Sequence, residues 1–303
     1  MPVTGKASEA PTPVLRFAPS PNGDLHLGHA LSALTGFELS KRFGGRFLLR
    51  IEDIDIARAR PEFVAGVFED LRWLGIVWEE PVLVQSEHFD VYRAAADMLR
   101  SAGVLYPCFA TRSEIAAAAS SEPGRLDPDG APFYPGLHRG LSADEIKSRA
   151  SRGEPFAFRI DMEKALALAD KMRDGVPLSF VERHPDLGGR VHRADPARWG
   201  DAVIVRKDVP ASYHLAVVVD DARQGVTHVT RGHDLYAATD LHRLLQVLLG
   251  LPEPVYHHHR LIADGTGRKL SKSARDTSLR SLRNSGVTAD AVRASLGFGP
   301  DGR

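Results

Sequence analysis

Two short apolar runs, separated by one helical pattern, constrain the fold of this chain more than any other feature. The run "VLRFAP" at residues 14–19 predicts a buried strand, and "RFLLRIED" at residues 46–53 is apolar enough to be buried on both faces. From residue 29, apolar residues recur at roughly helical spacing until the glycine pair at 44–45 ends the helix. A strand, a helix and a strand with short links form a βαβ unit, which predicts a parallel sheet.

The alternation of strands and helices returns after an irregular middle. "DAVIVRK" and "VTHVTRG" predict strands, and "ASYHLAVVVDDARQG" and "ATDLHRLLQVLLG" predict the helices that follow them. The middle, rich in Pro, Gly, Asp and Ser, contains one predicted strand, "GEPFAFRID", and a predicted loop, "HPDLGGRVHRADPARWGD". Two βα halves around an insertion predict a split α/β domain with a doubly wound parallel sheet, whose ligands bind at the carboxyl ends of the strands.

We expect the chain to be organised in five segments. Residues 1–13 form a flexible tail, 14–107 the first Rossmann half, 108–195 an inserted subdomain, 196–250 the second Rossmann half, and 251–303 a basic loop with a C-terminal helical segment. Further helices are predicted from Pro61 to Gly75 and near residues 87–102, and one closing helix in "SGVTADAVRASLGFG".

Composition excludes several classes of protein. No apolar run approaches the roughly 20 residues that span a bilayer, and the N-terminal segment lacks the apolar core of a secretory signal. The single cysteine, Cys108, excludes an intramolecular disulfide and a four-cysteine zinc site, and it fits the reducing cytoplasm. Because 39 basic residues balance 39 acidic ones, attraction to nucleic acid must come from local patches of charge.

The stretch "PSPNGDLHLGH" combines chain-stiffening residues with two imidazoles. Pro19 and Pro21 stop the strand ladder, and His26, Gly28 and His29 open the next helix. A helix N-terminus attracts phosphate, imidazoles can donate to phosphate oxygens, and a glycine lets a bulky ligand approach the backbone. The alternative interpretations are a structural turn with two surface histidines, or a metal pair for which no third ligand is evident nearby.

A second stretch, "DGTGRKLSKS" at residues 264–273, follows a predicted strand and begins with a hairpin-like turn. Its cations Arg268, Lys269 and Lys272 are interleaved with serines. Such a loop can clamp a triphosphate and stabilise the charge on leaving pyrophosphate. The alternative interpretation is a solvated basic loop, and this segment alone does not exclude it.

Taken together and in this order, HLGH and KLSKS resemble the two signature motifs of class I aminoacyl-tRNA synthetases. Four stretches are similar, at matching order and spacing, to the catalytic domain of glutamyl-tRNA synthetases: "RFAPSPNGDLHLGH", "GGRFLLRIEDID", "YHLAVVVDDARQGVTHVTRGHDL" and "LIADGTGRKLSKS". The resemblance spans about residues 14–273. It implies a Rossmann-type fold split by an acceptor-type subdomain, with a short C-terminal helical remnant that contacts the tRNA stem.

The short segment after Ser273 resembles the truncated paralogues of that family, the glutamyl-queuosine tRNA(Asp) synthetases, and we expect no anticodon-binding domain. The resemblance implies a cytoplasmic, monomeric ligase with glutamate, ATP and queuosine-containing tRNA(Asp) as partners. It would activate glutamate without tRNA and attach it to the queuosine base of the anticodon. The alternatives are a truncated enzyme that charges the 3′ end of tRNA(Glu), or a non-catalytic tRNA-binding paralogue, which predicts decayed ATP motifs although both are intact.

The resemblance also implies residue roles. Glutamate would be held by Arg16, Phe17, Ala18, Pro19, Ser20, Glu52, Tyr213 and Arg231. Arg16 and Arg231 are the cations for carboxylates, since a guanidinium binds a carboxylate bidentately. Glu52 would attract the ammonium, and its alternative is a strand-end salt bridge with Arg50 or Arg58. Tyr213 would close over the amino acid through its hydroxyl.

ATP would be bound by His26, Gly28, His29, Lys269 and Lys272. Among these, His26, His29 and Lys272 are the expected catalytic residues, with Lys272 stabilising the transition state of adenylate formation. Mg²⁺ is expected to accompany ATP without a dedicated carboxylate cage, because the phosphates supply most of its ligands.

The sequence departs from the pattern of its subfamily at one place, the zinc site. Many members of the subfamily bind zinc through Cys-x-Cys and a later Tyr-x₃-Cys. The matching positions here are Cys108, Ala110, Tyr134 and His138. Alanine cannot ligate, and two good ligands with a phenol make a poor site where zinc requires four. We therefore predict no bound zinc. The triplet His257, His258 and His259 falls in a predicted strand, and we assign it no role.

Overall fold

Three β-sheets and the helices that cover them form the computed structural model, which describes residues 12–120, 124–184, 188–262 and 277–299. The strands are β1 Val14–Phe17, β2 Arg46–Ile51, β3 Glu79–Val84, β4 Leu105–Cys108, β5 Ala157–Ile160, β6 Ser179–His184, β7 Gly188–Arg193, β8 Val203–Val205, β9 His228–Gly232 and β10 Val255–His259. The helices are α1 Leu27–Arg42, α2 Pro61–Trp73, α3 Phe89–Ser101, α4 Arg112–Ala119, α5 Ala143–Ser151, α6 Met162–Met172, α7 Tyr213–Arg223, α8 Ala238–Leu248, α9 Leu279–Asn284 and α10 Ala289–Ser295.

The predicted parallel sheet is confirmed in two adjoining blocks. One block has the order β1-β2-β3, all parallel, and the other the order β7-β6-β10-β9, with β6, β10 and β9 parallel. The blocks meet where β1 runs beside β9. There the Val14 N–H donates to Thr227 Oγ1 at 2.8 Å, and the Thr227 N–H donates to the Val14 carbonyl at 3.0 Å. This junction is where the strand order changes direction, so the carboxyl ends of β1 and β9 border the expected ligand crevice.

The third sheet lies outside the parallel sheet. It has the order β4-β5-β8, and each neighbouring pair is antiparallel. The strand predicted in "DAVIVRK" exists as β8, but it pairs with β5 in this sheet rather than with the parallel strands. At three residues, β8 carries too little pattern to indicate which sheet it joins.

The loop predicted at residues 184–201 is wrong over part of its length. Gly188–Arg193 forms β7, which pairs antiparallel with β6 along the edge of the sheet. An edge strand with a solvated face needs few apolar residues, so its composition resembles that of a loop. Its partner β6 joins the parallel sheet through Tyr256 and Glu182, the paired residues of β10 and β6.

The predicted helices of both halves are confirmed as α1, α2, α3, α7 and α8. Pro61 occupies the first turn of α2, and Gly44 and Gly75 follow α1 and α2 at φ of 60° and 73°, which glycine adopts without strain. The closing helix predicted in residues 285–299 exists as α10, and a further short helix, α9, precedes it. Their buried residues Leu279 and Val292 join the core of α1, α2 and the β1-β2-β3 block. None of the helices in the described ranges has the length and apolar character that crossing a bilayer requires.

Candidate active site

A cavity of about 500 Å³ lies at the carboxyl ends of β1 and β9, beside the N-terminus of α1. Every predicted site residue within the described ranges lines it: Arg16, Phe17, Ala18, Pro19, Ser20, His26, Gly28, His29, Glu52, Tyr213 and Arg231. Lys269 and Lys272 lie outside the described residues. The described positions on either side of them border the same region: Ile262 lines the cavity, and Ser278 forms an isolated β-bridge with His26.

Two imidazoles cap the N-terminus of α1. The Gly28 N–H donates to Nδ1 of His26 at 3.0 Å, and the His26 N–H donates to Nδ1 of His29 at 3.1 Å. Because each Nδ1 accepts a hydrogen bond, the neutral imidazoles carry their proton on Nε2. The two histidines thus perform the structural role of a capping box while lining the cavity, and the two interpretations of HLGH are compatible.

Gly28 makes room for this cap. A Cβ at position 28 would lie 2.9 Å from Cε1 and 3.0 Å from Nδ1 of His26. Any larger residue would therefore push the His26 ring away from the helix N-terminus. The packing of the His26 imidazole therefore requires a glycine at this position.

Arg16 is buried at the floor of the cavity and is already paired. Its Nε and Nη2 donate to the two carboxylate oxygens of Asp221 at 2.9 and 3.0 Å, and its Nη1 donates to the Thr230 carbonyl at 3.1 Å. The bidentate face of this guanidinium is therefore taken by the protein. Since Nη1 and Nη2 each carry a second hydrogen, Arg16 can still donate toward a carboxylate in the cavity.

Glu52 forms the strand-end salt bridge considered as its alternative role, and it also lines the cavity. Its Oε1 accepts from Arg50 Nη2 at 3.1 Å, whereas Arg58 lies 3.6 Å from Asp55. Burial raises the pKa of Glu52, against the lowering effect of Arg50 and Arg16. A carboxylate in this position can attract a substrate ammonium, because a second cation favours its charged form.

Arg231 is 5% exposed and differs from Arg16 in its partners. Its guanidinium bonds to Nδ1 of His242 at 3.0 Å, Oγ1 of Thr239 at 2.7 Å and Nε2 of His258 at 3.4 Å. Within the described ranges, no carboxylate forms an ion pair with it. Burial, followed by the charge of Arg231, lowers the pKa of both His242 and His258, so neither imidazole competes as a cation. A buried cation whose partners are neutral favours an anionic ligand.

Tyr213 is the first residue of α7 and lines the cavity beside Arg231 and its partners. Its ring is 5.5 Å from the His214 ring and 5.6 Å from the His242 ring. Burial raises the pKa of Tyr213, so its hydroxyl stays protonated and can donate a hydrogen bond. His258, which was assigned no role from the sequence, lies between Arg231 and Glu182. Its Nδ1 is 2.8 Å from Glu182 Oε1.

A family model described as tRNA synthetases class I (E and Q), catalytic domain, matches residues 14–297. The chain belongs to this family of ligases. A protein named glutamyl-Q tRNA(Asp) synthetase from Rhodobacter capsulatus is 44% identical over 292 residues, which cover 94% of this chain and 100% of the relative. A protein of the same name from Symbiobacterium thermophilum is 40% identical, over 93% of this chain and 85% of the relative.

Longer synthetases match as well. A glutamate–tRNA ligase from Prochlorococcus marinus is 37% identical over 92% of this chain, but the match covers 56% of that protein. Among solved structures, a glutamate tRNA ligase from Elizabethkingia meningosepticum in complex with its amino acid gives a TM-score of 0.68 at 28% identity, covering 91% of this chain and 53% of that one. The chain thus spans about half the length of these ligases.

The four positions that correspond to the zinc ligands of other synthetases do not fit a zinc ion. His138 Nδ1 accepts from the N–H groups of Phe109 and Ala110, both at 3.2 Å, and Arg149 Nη1 lies 3.2 Å from its Nε2. Both ring nitrogens that could bind metal are therefore engaged. Cys108 Sγ lies 3.2 Å from the hydroxyl of Tyr134, so the thiol and the phenol are paired with each other.

Cations crowd the same place. Lys207 Nζ donates to the carbonyls of Phe109 and Ala110 at 2.9 and 3.2 Å, and the Arg159 guanidinium lies 3.9 Å from the centre of the Tyr134 ring. Within the described ranges, no group of three or more His, Cys, Asp or Glu side chains is placed to hold a metal. Positive side chains next to the ligand positions oppose a divalent cation, so hydrogen bonds hold this turn together.

Sequence reasoning missed Asp221, and it named Arg50 only as a possible salt-bridge partner of Glu52, although both residues shape the cavity. Asp221 holds Arg16, and Arg50 Nη1 lies 2.8 Å from Asp221 Oδ1 while its Nη2 holds Glu52. The signal was present for Arg50, because a charged residue interrupts a strand that is otherwise apolar. For Asp221 the signal was weaker, since an acidic residue near the end of a helix is ordinarily solvated.

Proposed function

We propose that this protein activates glutamate with ATP, without the help of tRNA, and transfers it to the queuosine base of tRNA(Asp). The observation that carries the choice of amino acid is the buried guanidinium of Arg231, which faces the cavity with neutral partners in the described part of the chain. An amino acid with a second carboxylate supplies the missing negative charge.

The charges around the cavity match glutamate. The cations Arg16, Arg231 and Arg260 and the anions Glu52 and Asp234 line the cavity, and the Arg50–Asp221 pair behind them is neutral, so this group carries one net positive charge. Glutamate carries one net negative charge at neutral pH, because two carboxylates outweigh one ammonium. Glutamine is neutral overall and would leave the buried cation without a counter-charge, which favours glutamate over glutamine.

Activation joins the amino acid to the α-phosphate of ATP. A carboxylate oxygen of glutamate attacks the α-phosphorus, a new P–O bond forms, and the bond to the pyrophosphate oxygen breaks. The N-terminus of α1 and the Nε2–H donors of His26 and His29 border the cavity where the phosphates would lie. Lys269 and Lys272 would neutralise the leaving pyrophosphate, and Mg²⁺ bound by the phosphates would assist them.

Transfer follows when a hydroxyl of the acceptor attacks the carbonyl carbon of the adenylate, forming an ester and releasing AMP. The acceptor is proposed from the relatives: two proteins with the printed name glutamyl-Q tRNA(Asp) synthetase share 44% and 40% identity with this chain over more than nine tenths of its length. The rival acceptor is the 3′ end of tRNA(Glu), favoured by the glutamate–tRNA ligases that match at 37%. We propose a cytoplasmic monomer without zinc as the working form.

Exchange of radioactive pyrophosphate into ATP tests the first half of this proposal. We expect exchange that requires glutamate and proceeds without tRNA, with glutamine giving a rate at least about 100-fold lower. Absence of glutamate-dependent exchange would refute the activation step.

A second experiment tests the acceptor. Transfer of labelled glutamate is measured to tRNA(Asp) that contains queuosine, to the same tRNA without queuosine, and to tRNA(Glu). Charging of tRNA(Glu) alone would favour the rival acceptor.

A further inference from the structure

We propose that Asp221 and Arg50, which do not line the cavity, are positioning residues that set the distance between the two charged ends of the glutamate pocket. The proposal rests on the proposed function, since it concerns how the same cavity holds its amino acid. Asp221 was not expected from the sequence, and Arg50 was considered only as a salt-bridge partner of Glu52.

The two residues complete an alternating chain of charges. Arg16 Nε donates to Asp221 Oδ1 at 2.9 Å, Arg50 Nη1 lies 2.8 Å from that same oxygen, and Arg50 Nη2 donates to Glu52 Oε1 at 3.1 Å. The outer members, Arg16 and Glu52, line the cavity, and the inner members lie behind them. One carboxylate oxygen thus links the cation intended for a substrate carboxylate to the anion intended for its ammonium.

The chain of charges also crosses three separate elements. Arg16 lies on β1, Arg50 and Glu52 lie on and just after β2, and Asp221 comes from α7, which begins with Tyr213. Asp221 therefore fixes the side chains of Arg16 on β1 and Arg50 on β2. It fixes them relative to the hydroxyl of Tyr213, the first residue of the same helix. Gln224, which follows α7, accepts from the same Arg50 Nη1 at 2.8 Å and so helps to hold this guanidinium in place.

Burial makes this arrangement rigid. Arg50 is 0% exposed and Asp221 is 6% exposed, so water cannot replace either partner. Burial would raise the pKa of Asp221, but Arg16 and Arg50 outweigh it and hold the pKa below its usual value. The carboxylate therefore stays charged, and each arginine has a fixed counter-charge instead of rotating toward solvent.

The neighbouring Asp220 offers a matched control. It is 0% exposed, lies on the same helix, and its carboxylate accepts from Tyr92 at 2.7 Å, Gln85 at 2.8 Å and Arg223 at 3.2 Å. It forms no hydrogen bond or ion pair with Arg16 or Arg50, and it acts on Arg50 only through its charge, which helps to raise the pKa of that arginine. A change of Asp to Asn at either position removes one buried charge from α7, but only the change at 221 releases the pocket.

The experiment measures glutamate-dependent pyrophosphate exchange for the wild type, Asp221→Asn and Asp220→Asn at varied glutamate and ATP. For Asp221→Asn we expect the KM for glutamate to rise about 10-fold to 100-fold while the KM for ATP changes less than about twofold, because misplaced groups weaken only the ligand they hold. For Asp220→Asn we expect both KM values to stay within about twofold of the wild type. The melting temperature of this variant should fall by about as much as that of Asp221→Asn. Equal effects of the two variants on the KM for glutamate, or a parallel rise of both KM values, would overturn the proposal.

Arg50→Lys keeps the test decisive if Asp221→Asn does not fold. A lysine keeps the charge but cannot reach Asp221, Glu52 and Gln224 together, so the KM for glutamate should again rise alone. If the wild type shows no exchange, the proposed function fails, and calorimetric titration of glutamate into the same proteins decides the positioning role. Weaker binding by Asp221→Asn than by Asp220→Asn supports it; equal binding, or none by the wild type, overturns it.

Discussion

Replacing His26 by Asn and by Ala separates the two roles of this imidazole. In the structure its Nδ1 caps α1 by accepting from the Gly28 N–H, and its neutral ring carries a proton on Nε2 beside the cavity. Asparagine is among the best capping residues and keeps an acceptor near the Nδ1 position, whereas alanine has none. Both replacements remove the Nε2–H donor.

The magnitudes follow from these two losses. Loss of an N-cap costs about 1 kcal/mol of stability, so His26→Ala should lower the free energy of unfolding by about 1 kcal/mol and His26→Asn by less than about 0.5 kcal/mol. Loss of one preorganised donor to a developing charge lowers kcat by about 10²-fold to 10³-fold. Both variants should therefore lose the same factor in exchange rate although their stabilities differ.

Denaturant unfolding gives the free energy of unfolding, and pyrophosphate exchange at saturating glutamate gives the exchange rate. Both are measured on the same preparations. His29→Gln is a useful companion, because glutamine at the third helical position preserves the capping box. The reasoning is refuted if His26→Asn keeps an exchange rate within a few-fold of the wild type, since His26 would then act only as a cap. It is also refuted if the asparagine variant loses as much stability as the alanine variant.

Three further predictions concern other parts of the molecule. Lys272→Ala should lower the exchange kcat by at least about 100-fold and leave glutamate affinity, measured by calorimetry, within about twofold; weakened glutamate binding would contradict its assignment to the phosphates. Burial raises the pKa of Asp70 to about 6 from its ordinary value of 3.8 despite the nearby Arg283, so the folded protein carries this charge at a cost above pH 6. The cost falls as the pH falls below 6 and has vanished about one unit below the ordinary value, at about pH 3, where folded and unfolded chains are both protonated. Asp70→Asn should therefore stabilise the protein by about 1–2 kcal/mol at pH 8 and by nothing measurable at about pH 3, as followed by urea unfolding; equal effects at both pH values would contradict this. Purified protein should contain no stoichiometric zinc, and a chelator should leave its melting temperature unchanged, because His138 is held by backbone N–H groups and Arg149; one equivalent of zinc by metal analysis would be the opposite result.

The sequence predicted the framework of the fold and the outer wall of the site. The βαβ unit, the helix that starts at HLGH and the strand that contains "VTHVTRG" each have a periodic pattern, and each places its chemistry at one end of an element. The family resemblance, rather than these patterns, implied the roles of Arg16, His26, His29, Glu52, Tyr213 and Arg231, and the structure has all six around one cavity.

The inner part of the site could not be predicted in this way. The bond between Arg16 and Asp221 joins residues 205 positions apart, and no local pattern encodes such a pairing. The polar edge strand β7 and the three-residue strand β8 also escaped correct assignment, because pairing partners rather than composition decide where they lie. Arg231 was expected to be a cation in the site, but its neutral partners could be seen only in three dimensions.

The turn formed by Cys108, Tyr134 and His138 has a consequence for how the chain matures. Where a bound ion completes such a turn, the folded fraction follows the activity of that ion, and ligand protons must be released when it binds. Here backbone N–H groups, a phenol, a thiol and the ammonium of Lys207 complete the turn from within the chain. If the purified protein contains no zinc, as we predict, formation of the inserted sheet does not depend on the supply of metal.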